Sequence, residues 1–233
     1  MSVGTVKVTA KRIKNREKLM KTLKFSILII FLILLFLFLV LSLVYKGGRF
    51  TITLDPNFFV KSGIVIYENP EEQRVYRKLY ADGMDFMDNI SIKWLPSDIG
   101  DHAGGAHNGD NYIAYTFYVD NQGEETLHYW YEVYLDDVIK NVDEALRIMI
   151  ILNDEKKIYA KINGDTLEPE EDTEPFYSDK VAIVNVREDF APGDIDKFTI
   201  VVWLEGDDPD CVDAIIGGEI KMHMEITEEH FDE

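Results

Sequence analysis

Hydrophobic and polar positions divide the chain into one long apolar run followed by many short alternating segments. The run covers residues 25–45, which are 21 residues without a charged side chain. At ~1.5 Å rise per residue, an α-helix of this length spans the ~30 Å hydrocarbon core of a bilayer. A secretory signal core is usually shorter, ~7–15 residues, and ends at a cleavage site with two small residues. The pattern therefore predicts a single transmembrane helix.

The exit from this run decides between an anchor and a signal peptide. Neither Ser42-Leu43-Val44 nor Tyr45-Lys46-Gly47 has small residues at both positions that a signal peptidase requires. This favours an anchor that comprises residues 25–45 and is retained in the mature protein. Removal by an unusual peptidase is the alternative.

Beyond residue 48, segments rich in Val, Ile, Thr and aromatic residues alternate with turn residues. A period of two is typical of β-strands with one buried face. The predicted strands are 49–54, 63–67, 90–95, 112–119, 127–135, 146–152, 158–162, 181–186, 198–204 and 219–226. Turns and not long helices join them, so the pattern predicts antiparallel pairing in an all-β jelly roll or β-sandwich.

Several connections have distinctive sequences of their own. Residues 120–124 are predicted to close a hairpin, and Asn153-Asp154 a second turn. The other predicted connections are short helices over 138–144 and 209–215, a helix or long loop over 69–85, and a solvated acidic loop over 164–175.

Charge gives the predicted helix an orientation. Residues 1–24 hold eight basic residues and one acidic residue, a net charge of +7, which marks a cytoplasmic tail. The whole chain carries −19, so the remainder carries −26 and is expected outside the cytoplasm as one domain over residues 46–233. Such an acidic domain is repelled by nucleic acid. The single cysteine, Cys211, excludes an internal disulfide.

Two turn motifs resemble those of a known family. The stretch YTFYVDNQGEETLHYWYEVYL is similar to the Phe-x-Val-x-Asn-x-Gly hairpin of the TasA/camelysin family, which comprises biofilm-fibre and surface proteins of Gram-positive bacteria. The stretch PGDIDKFTIVVWLEG is similar to the Pro-Gly-Asp turn and long strand of that family. The stretches GGRFTITLD, HNGDNYIAYTFYV and WLEGDDPDCVDAIIGGEIKM further resemble a clade of membrane-tethered Firmicutes proteins. The resemblance covers most of residues 49–226.

The resemblance implies an exported jelly-roll domain. In fibre-forming members of the family the N-terminal segment is removed, and the first strand completes the sheet of the next subunit. Here only Lys46-Gly47-Gly48 separates the apolar run from the first strand, so a retained anchor favours a tethered domain. Some camelysin relatives are classified as metallopeptidases, which adds a metal-dependent surface hydrolase as a third hypothesis.

The loop 96–111 is the candidate metal site. Its potential ligands, set among glycines, are Asp98, Asp101, His102, His107 and Asp110. Carboxylate and imidazole groups bind calcium or zinc when three or more converge on one point. The two histidines lack the helical spacing of His-Glu-x-x-His, which is absent from the chain. A loop held by hydrogen bonds between side chains and backbone is the competing interpretation, so we predict no cofactor, with calcium or zinc here as the alternative.

Other chemically distinctive residues have simpler interpretations. Residues 205–210, EGDDPD, form either a calcium loop or an acidic turn, His223 is predicted to face solvent, and Cys211 is expected to be a small buried residue. Outward-facing aromatic residues of the strands are expected to bind sugars or a protein, or to pair across strands. The aromatic positions concerned are Tyr112, Tyr115, Phe117, Tyr129, Trp130, Tyr131 and Tyr134.

The sequence thus predicts a non-enzymatic, single-pass membrane protein with a cytoplasmic N-terminus and an extracellular structural or interaction domain. Its expected partners are the membrane and, through an open sheet edge, further copies or other surface and matrix proteins. A cleaved, secreted fibre subunit is the alternative.

Overall fold

The computed structural model describes residues 3–45, 50–72 and 74–228. The chain divides into two compact units, residues 1–47 and residues 48–233. The predicted linker Lys46-Gly47-Gly48, and Arg49 of the predicted first strand, lie outside the described residues.

The N-terminal unit contains one helix, α1 (Val3–Tyr45), of 43 residues. Its segment Arg12–Leu41 is long and apolar enough to cross a membrane, and its side chains are exposed throughout. The predicted apolar helix is therefore confirmed, although it begins at Val3 and includes most of the basic tail. Lys, Arg, Glu and Leu are good helix formers, so nothing in the tail ends the helix before the apolar run.

The second unit is mostly β-structure. The twelve strands of the described residues are β1 (Phe50–Leu54), β2 (Ile64–Tyr67), β3 (Lys78–Ala81), β4 (Gly105–Ala106), β5 (Ile113–Asn121), β6 (Leu127–Ile139), β7 (Leu146–Leu152), β8 (Glu155–Ala160), β9 (Glu174–Pro175), β10 (Val181–Phe190), β11 (Ile195–Leu204) and β12 (Glu219–Thr227). A short helix, α2 (Pro56–Ser62), follows β1, and single 3₁₀ turns occur at Ile92–Trp94, Val142–Ala145 and Asp213–Ile215.

The strands form two sheets that enclose the main core. One sheet has the order β10-β6-β12-β1-β3, and the other has the order β2-β5-β11-β7-β8-β9, with β4 also paired to β5. Alternate side chains such as Ile52, Phe117, Ile200 and Met224 fill the space between the sheets.

The second core lies on the outer face of the larger sheet. Ile90 and Ile99 pack there against Met149, Val201 and Trp203, and all five side chains are buried. The chain between residues 90 and 112 therefore covers this face, whereas β-strands with one solvent-facing side would leave it exposed.

Two aspects of the predicted strand pairing are wrong. β1 runs parallel to β12, and β8 runs parallel to β9, so the sheets are not purely antiparallel. The predicted hairpin at residues 120–124 instead carries the chain from β5 in one sheet to β6 in the other. The buried Asn121 amide holds this crossing by donating to the carbonyls of Glu125 and Phe190. A turn sequence specifies a reversal of direction but not whether the two strands pair.

Four other local predictions also fail. Residues 69–85 are neither a helix nor one long loop, because they contain β3, which pairs with β1. Residues 90–95 are not a strand, because Ile90 makes a single bridge to Glu205 and Ser91 caps the following 3₁₀ turn. The predicted helix at 138–144 is replaced by the end of β6 and a 3₁₀ turn, and the one at 209–215 shrinks to Asp213–Ile215. Packing of Val142 and Ile215 in a small separate cluster fixes these two turns. The turn at Asn153-Asp154 is confirmed, with φ of 49° and 71°.

Candidate functional sites

The predicted metal loop packs over the outer face of the larger sheet. The rings of His102 and His107 stack with centroids 3.9 Å apart. His107 Nε2 lies 2.9 Å from Thr116 Oγ1, which in turn lies 2.8 Å from Thr199 Oγ1 on the neighbouring strand. Burial, and then the nearby His102, lower the pKa of His107 to about 4. The ring of His107 is therefore neutral at physiological pH and occupied by a structural hydrogen bond.

The three acidic residues of the loop do not join the histidines in a ligand set. Asp98, Asp101 and Asp110 are exposed. No three of the five predicted ligand residues, all of which are described, bring ligand atoms within 4.8 Å of one another. A hydrogen bond between a side chain and the backbone helps to hold the loop instead, since Lys197 Nζ donates to the Gly100 carbonyl at 2.8 Å. Metal binding here stays a prediction that the geometry does not favour.

A different acidic cluster does converge. Carboxylate oxygens of Glu170, Asp208 and Asp210 lie within 4.8 Å of one another. Arg147 Nη2 already approaches this cluster, at 2.5 Å from Asp208 Oδ2 and 3.8 Å from Glu170 Oε2. The Arg147 guanidinium therefore balances the charge of one of the three carboxylates, and Arg147 and Asp208 form a buried ion pair within the cluster. The one sequence signal for it was a charged residue inside the apolar strand β7.

The acidic loop 205–210 accepts hydrogen bonds from residues of the second core and of the segment that covers it. The Glu205 carboxylate accepts hydrogen bonds from the Ile92 backbone N–H and from Trp203 Nε1, both at 3.0 Å. Asp207 accepts from Ser91 Oγ at 2.8 Å. These bonds fix the covering segment to the sheet, which accounts for the acidic turn without a cation.

The outer face of the smaller sheet carries a polar and aromatic cluster. His223 Nδ1 lies 2.8 Å from Asp136 Oδ1 and His223 Nε2 lies 3.6 Å from Glu225 Oε1, while the Tyr134 ring stacks on the imidazole. Interactions with Glu225 and with Asp136 raise the pKa of His223, and the same pairing lowers the pKa of Glu225. His223 thus lies on the outer face as predicted, but it is half-buried and engaged in ion pairs.

The predicted aromatic positions divide between the faces. Tyr115, Phe117, Tyr129 and Tyr131 are buried in the main core, and Tyr129 donates to Asp196 at 2.6 Å. The remaining three are only partly buried, namely Tyr112, Trp130 and Tyr134. Of these, Trp130 and Tyr134 lie on the outer face of β6 beside Thr227 and His223 of β12. Cys211 is also partly buried and accepts a hydrogen bond from the Asn89 amide.

Comparison with known proteins assigns no family. No family model matches the chain, and no curated protein matches it. Two solved structures are similar over 72% of this chain at 12% identity and a TM-score of 0.27: the crystal structures of β-glucosidase from Kluyveromyces marxianus in complex with glucose and in Se-Met labelled form. The chain spans only 16% of the length of that enzyme. A similarity at this TM-score establishes neither a shared fold nor a shared activity.

Proposed function

We propose that this chain is a membrane-anchored cell-surface protein whose β-domain serves as a non-enzymatic structural or interaction module. One observation carries the proposal: the 30-residue segment Arg12–Leu41 is long and apolar enough to cross a membrane, and it belongs to the same chain as a separate β-domain. A signal sequence meets the same criteria of length and composition, so the fate of this segment decides the function.

The orientation of the proposed anchor rests on charge. Basic residues at the N-terminal end of an apolar helix are retained in the cytoplasm, and the net charge of +7 in residues 1–24 satisfies this rule. The β-domain then lies outside the cell. Its two sheets, with crossings at β5–β6 and β10–β11, support the proposed jelly roll and the resemblance to TasA/camelysin domains.

The deciding experiment is mass spectrometry of the N-terminal peptide from native membrane and medium fractions. We expect a chain beginning at or near Met1, found in the membrane fraction and resistant to alkaline extraction. A chain beginning near residues 47–50 and recovered from the medium would overturn the anchor.

The second candidate is a secreted fibre subunit that assembles by strand donation. The position of β1 favours it, because this first strand lies inside the smaller sheet, between β12 and β3, and not at its edge. β1 buries Phe50, Ile52 and Leu54 in the main core. A chain without its own β1 would leave a slot that the same strand of a neighbour fills. Filaments in the medium, built from cleaved chains and visible by electron microscopy, would establish this candidate.

The metal-dependent hydrolase is tested separately by calorimetry. The full chain in detergent is titrated with zinc and with calcium, and the variant carrying His102→Ala and His107→Ala is the control. Zinc binding tighter than millimolar that disappears in the control would support a metal site. The proposal of a non-enzymatic module expects no such binding.

A further inference from the structure

The β-domain has two lateral sides, each formed by the terminal strands of both sheets. β3 ends the smaller sheet where β2 ends the larger one, and a bridge between Ile66 and Tyr76 ties these edges together. β10 ends the smaller sheet on the other side, where the Asn185 amide donates to Tyr159 of β8 at 2.6 Å. The β3 edge and the β9–β10 edge therefore lie on opposite sides of the domain.

One side presents the basic edge, which we define as residues 74–80, RVYRKLY. It contains three basic residues and no acid, within a domain of strongly negative charge. Arg74 and Lys78 are exposed and lie over the rings of Tyr76 and Tyr80, at 5.4 and 5.7 Å from the ring centroids. Tyr80 is itself 52% exposed. The basic edge thus combines cations with accessible aromatic surface, a composition typical of protein interfaces.

The other side presents the acidic edge, which we define as residues 168–174, EPEEDTE. It contains five acidic residues and no base, and it leads into β9. Glu170 pairs with Arg147, and Glu174 lies 3.7 Å from Lys157. Glu171 and Asp172 are exposed, and within residues 50–72 and 74–228 no basic side chain forms an ion pair with either one.

We propose that the basic edge of one copy binds the acidic edge of a second copy of this chain. Opposite charge on the two edges provides the attraction, and open strand edges at β3 and β10 allow the backbones to approach. Because the two edges lie on opposite sides, the contact is head to tail. Each time a copy is added, the assembly still has one free basic edge and one free acidic edge. Such a contact propagates into an open row or a ring of domains and does not close as a dimer.

The net charge of the chain does not prevent this contact. Repulsion between whole domains acts over distances greater than the Debye length of ~8 Å at physiological ionic strength and is largely screened. Charges in direct contact are screened much less. The inference rests on the proposed function in one respect: anchoring in a bilayer raises the local concentration, so a weak contact is sufficient.

The first experiment is positional cross-linking of the full chain in vesicles of neutral phosphatidylcholine. In a Cys211→Ser background, copies with Tyr80→Cys are mixed with copies with Tyr177→Cys, which lies just beyond the acidic edge and is 61% exposed. A short bismaleimide should link the mixed pair and should not link either variant with itself. Ile195→Cys, 49% exposed and on β11 in the middle of the larger sheet, is the matched control and should give only background.

The second experiment exchanges the charges. Arg77→Glu with Lys78→Glu in the Tyr80→Cys copy should lower the cross-link yield at least about fivefold, since attractive contacts become repulsive. Glu168→Lys with Glu171→Lys in the Tyr177→Cys copy should restore the yield. All four positions are exposed, so far-ultraviolet circular dichroism should be unchanged.

The outcomes separate this inference from the proposed function. Equal yields for like and mixed pairs, or a yield that the charge exchange leaves within twofold, would overturn the head-to-tail contact. Binding of the basic edge to anionic vesicles without any cross-link would also overturn the head-to-tail contact. Repeating the mixed pair in detergent tests the contact without a bilayer, while alkaline extraction tests the anchor, so each can fail alone.

Discussion

Replacing Arg147 by methionine should strongly destabilise the β-domain, because the change removes one partner of a buried ion pair. Arg147 lies on β7 and is 5% exposed, and its guanidinium is 2.5 Å from the Asp208 carboxylate. The Asp208 side chain is completely inaccessible to solvent. Methionine preserves the apolar stem and most of the volume, so Arg147→Met removes the charge without opening a large cavity.

The expected loss of stability follows from the Asp208 charge, which stays buried after Arg147 is replaced. Removing one partner of a buried ion pair typically costs ~3–5 kcal/mol, because the other charge stays buried without compensation. For a domain of this size each kcal/mol lowers Tm by ~2–4 °C, so we expect a fall of about 10 °C. Arg147→Met combined with Asp208→Asn leaves no buried charge at this pair and should recover most of the loss.

The assay is urea unfolding of the full chain in detergent, followed by tryptophan fluorescence, to which the fully buried Trp203 contributes. Lys157→Met is the matched control, because Lys157 pairs with Glu174 while both side chains are exposed, at 40% and 52%, and it should cost less than ~1 kcal/mol. A loss below ~1 kcal/mol for Arg147→Met, or strict additivity with Asp208→Asn, would refute the buried-pair argument.

Three further predictions test other parts of the domain. Ile52→Ala, at a fully buried position of β1, should lower the free energy of unfolding by ~2–5 kcal/mol in chemical denaturation, and a loss under 1 kcal/mol would mean that β1 does not belong to the core. His223 should titrate above its ordinary pKa of 6.5 in nuclear magnetic resonance, so its stabilisation is present below pH 6.5 and is lost as pH rises through the folded pKa; Glu225→Gln should lower the titration midpoint. His107 should stay neutral until about pH 4, so the domain loses stability as pH falls from 6.5 towards 4, and a His107 midpoint near 6.5 would contradict its burial.

Local sequence patterns predict where strands and turns lie but not which strands pair. The turn at Asn153-Asp154 was predictable because adjacent β7 and β8 pair directly and both turn residues tolerate positive φ. The Asn121 turn has equally good turn residues, yet it changes sheets. What distinguishes it is the hydrogen bond from the Asn121 amide to the Phe190 carbonyl, 69 residues away in sequence, which no local pattern encodes.

The candidate sites likewise depend on contacts that local sequence does not specify. The loop 96–111 has a composition typical of metal ligands, but stacking of His102 on His107 and the bond to Thr116 use the imidazoles for packing. The converging carboxylates are instead Glu170, Asp208 and Asp210, of which Glu170 is distant in sequence from the other two, and Arg147 binds between Glu170 and Asp208. Sequence spacing finds ligands within one loop or helix and misses those that meet only through the fold.

The sequence by itself determined the long apolar helix, the basic tail, the acidic remainder of the chain and most of the strands. Each of these depends on short-range properties: hydrophobicity over one helix length, alternation over one strand, and charge counted along the chain. The tertiary structure alone decided that β1 lies parallel to β12, that residues 90–112 cover a sheet face, and that a basic and an acidic edge lie on opposite sides. These depend on which distant surfaces bury one another, and that choice is made by the summed packing of the whole domain.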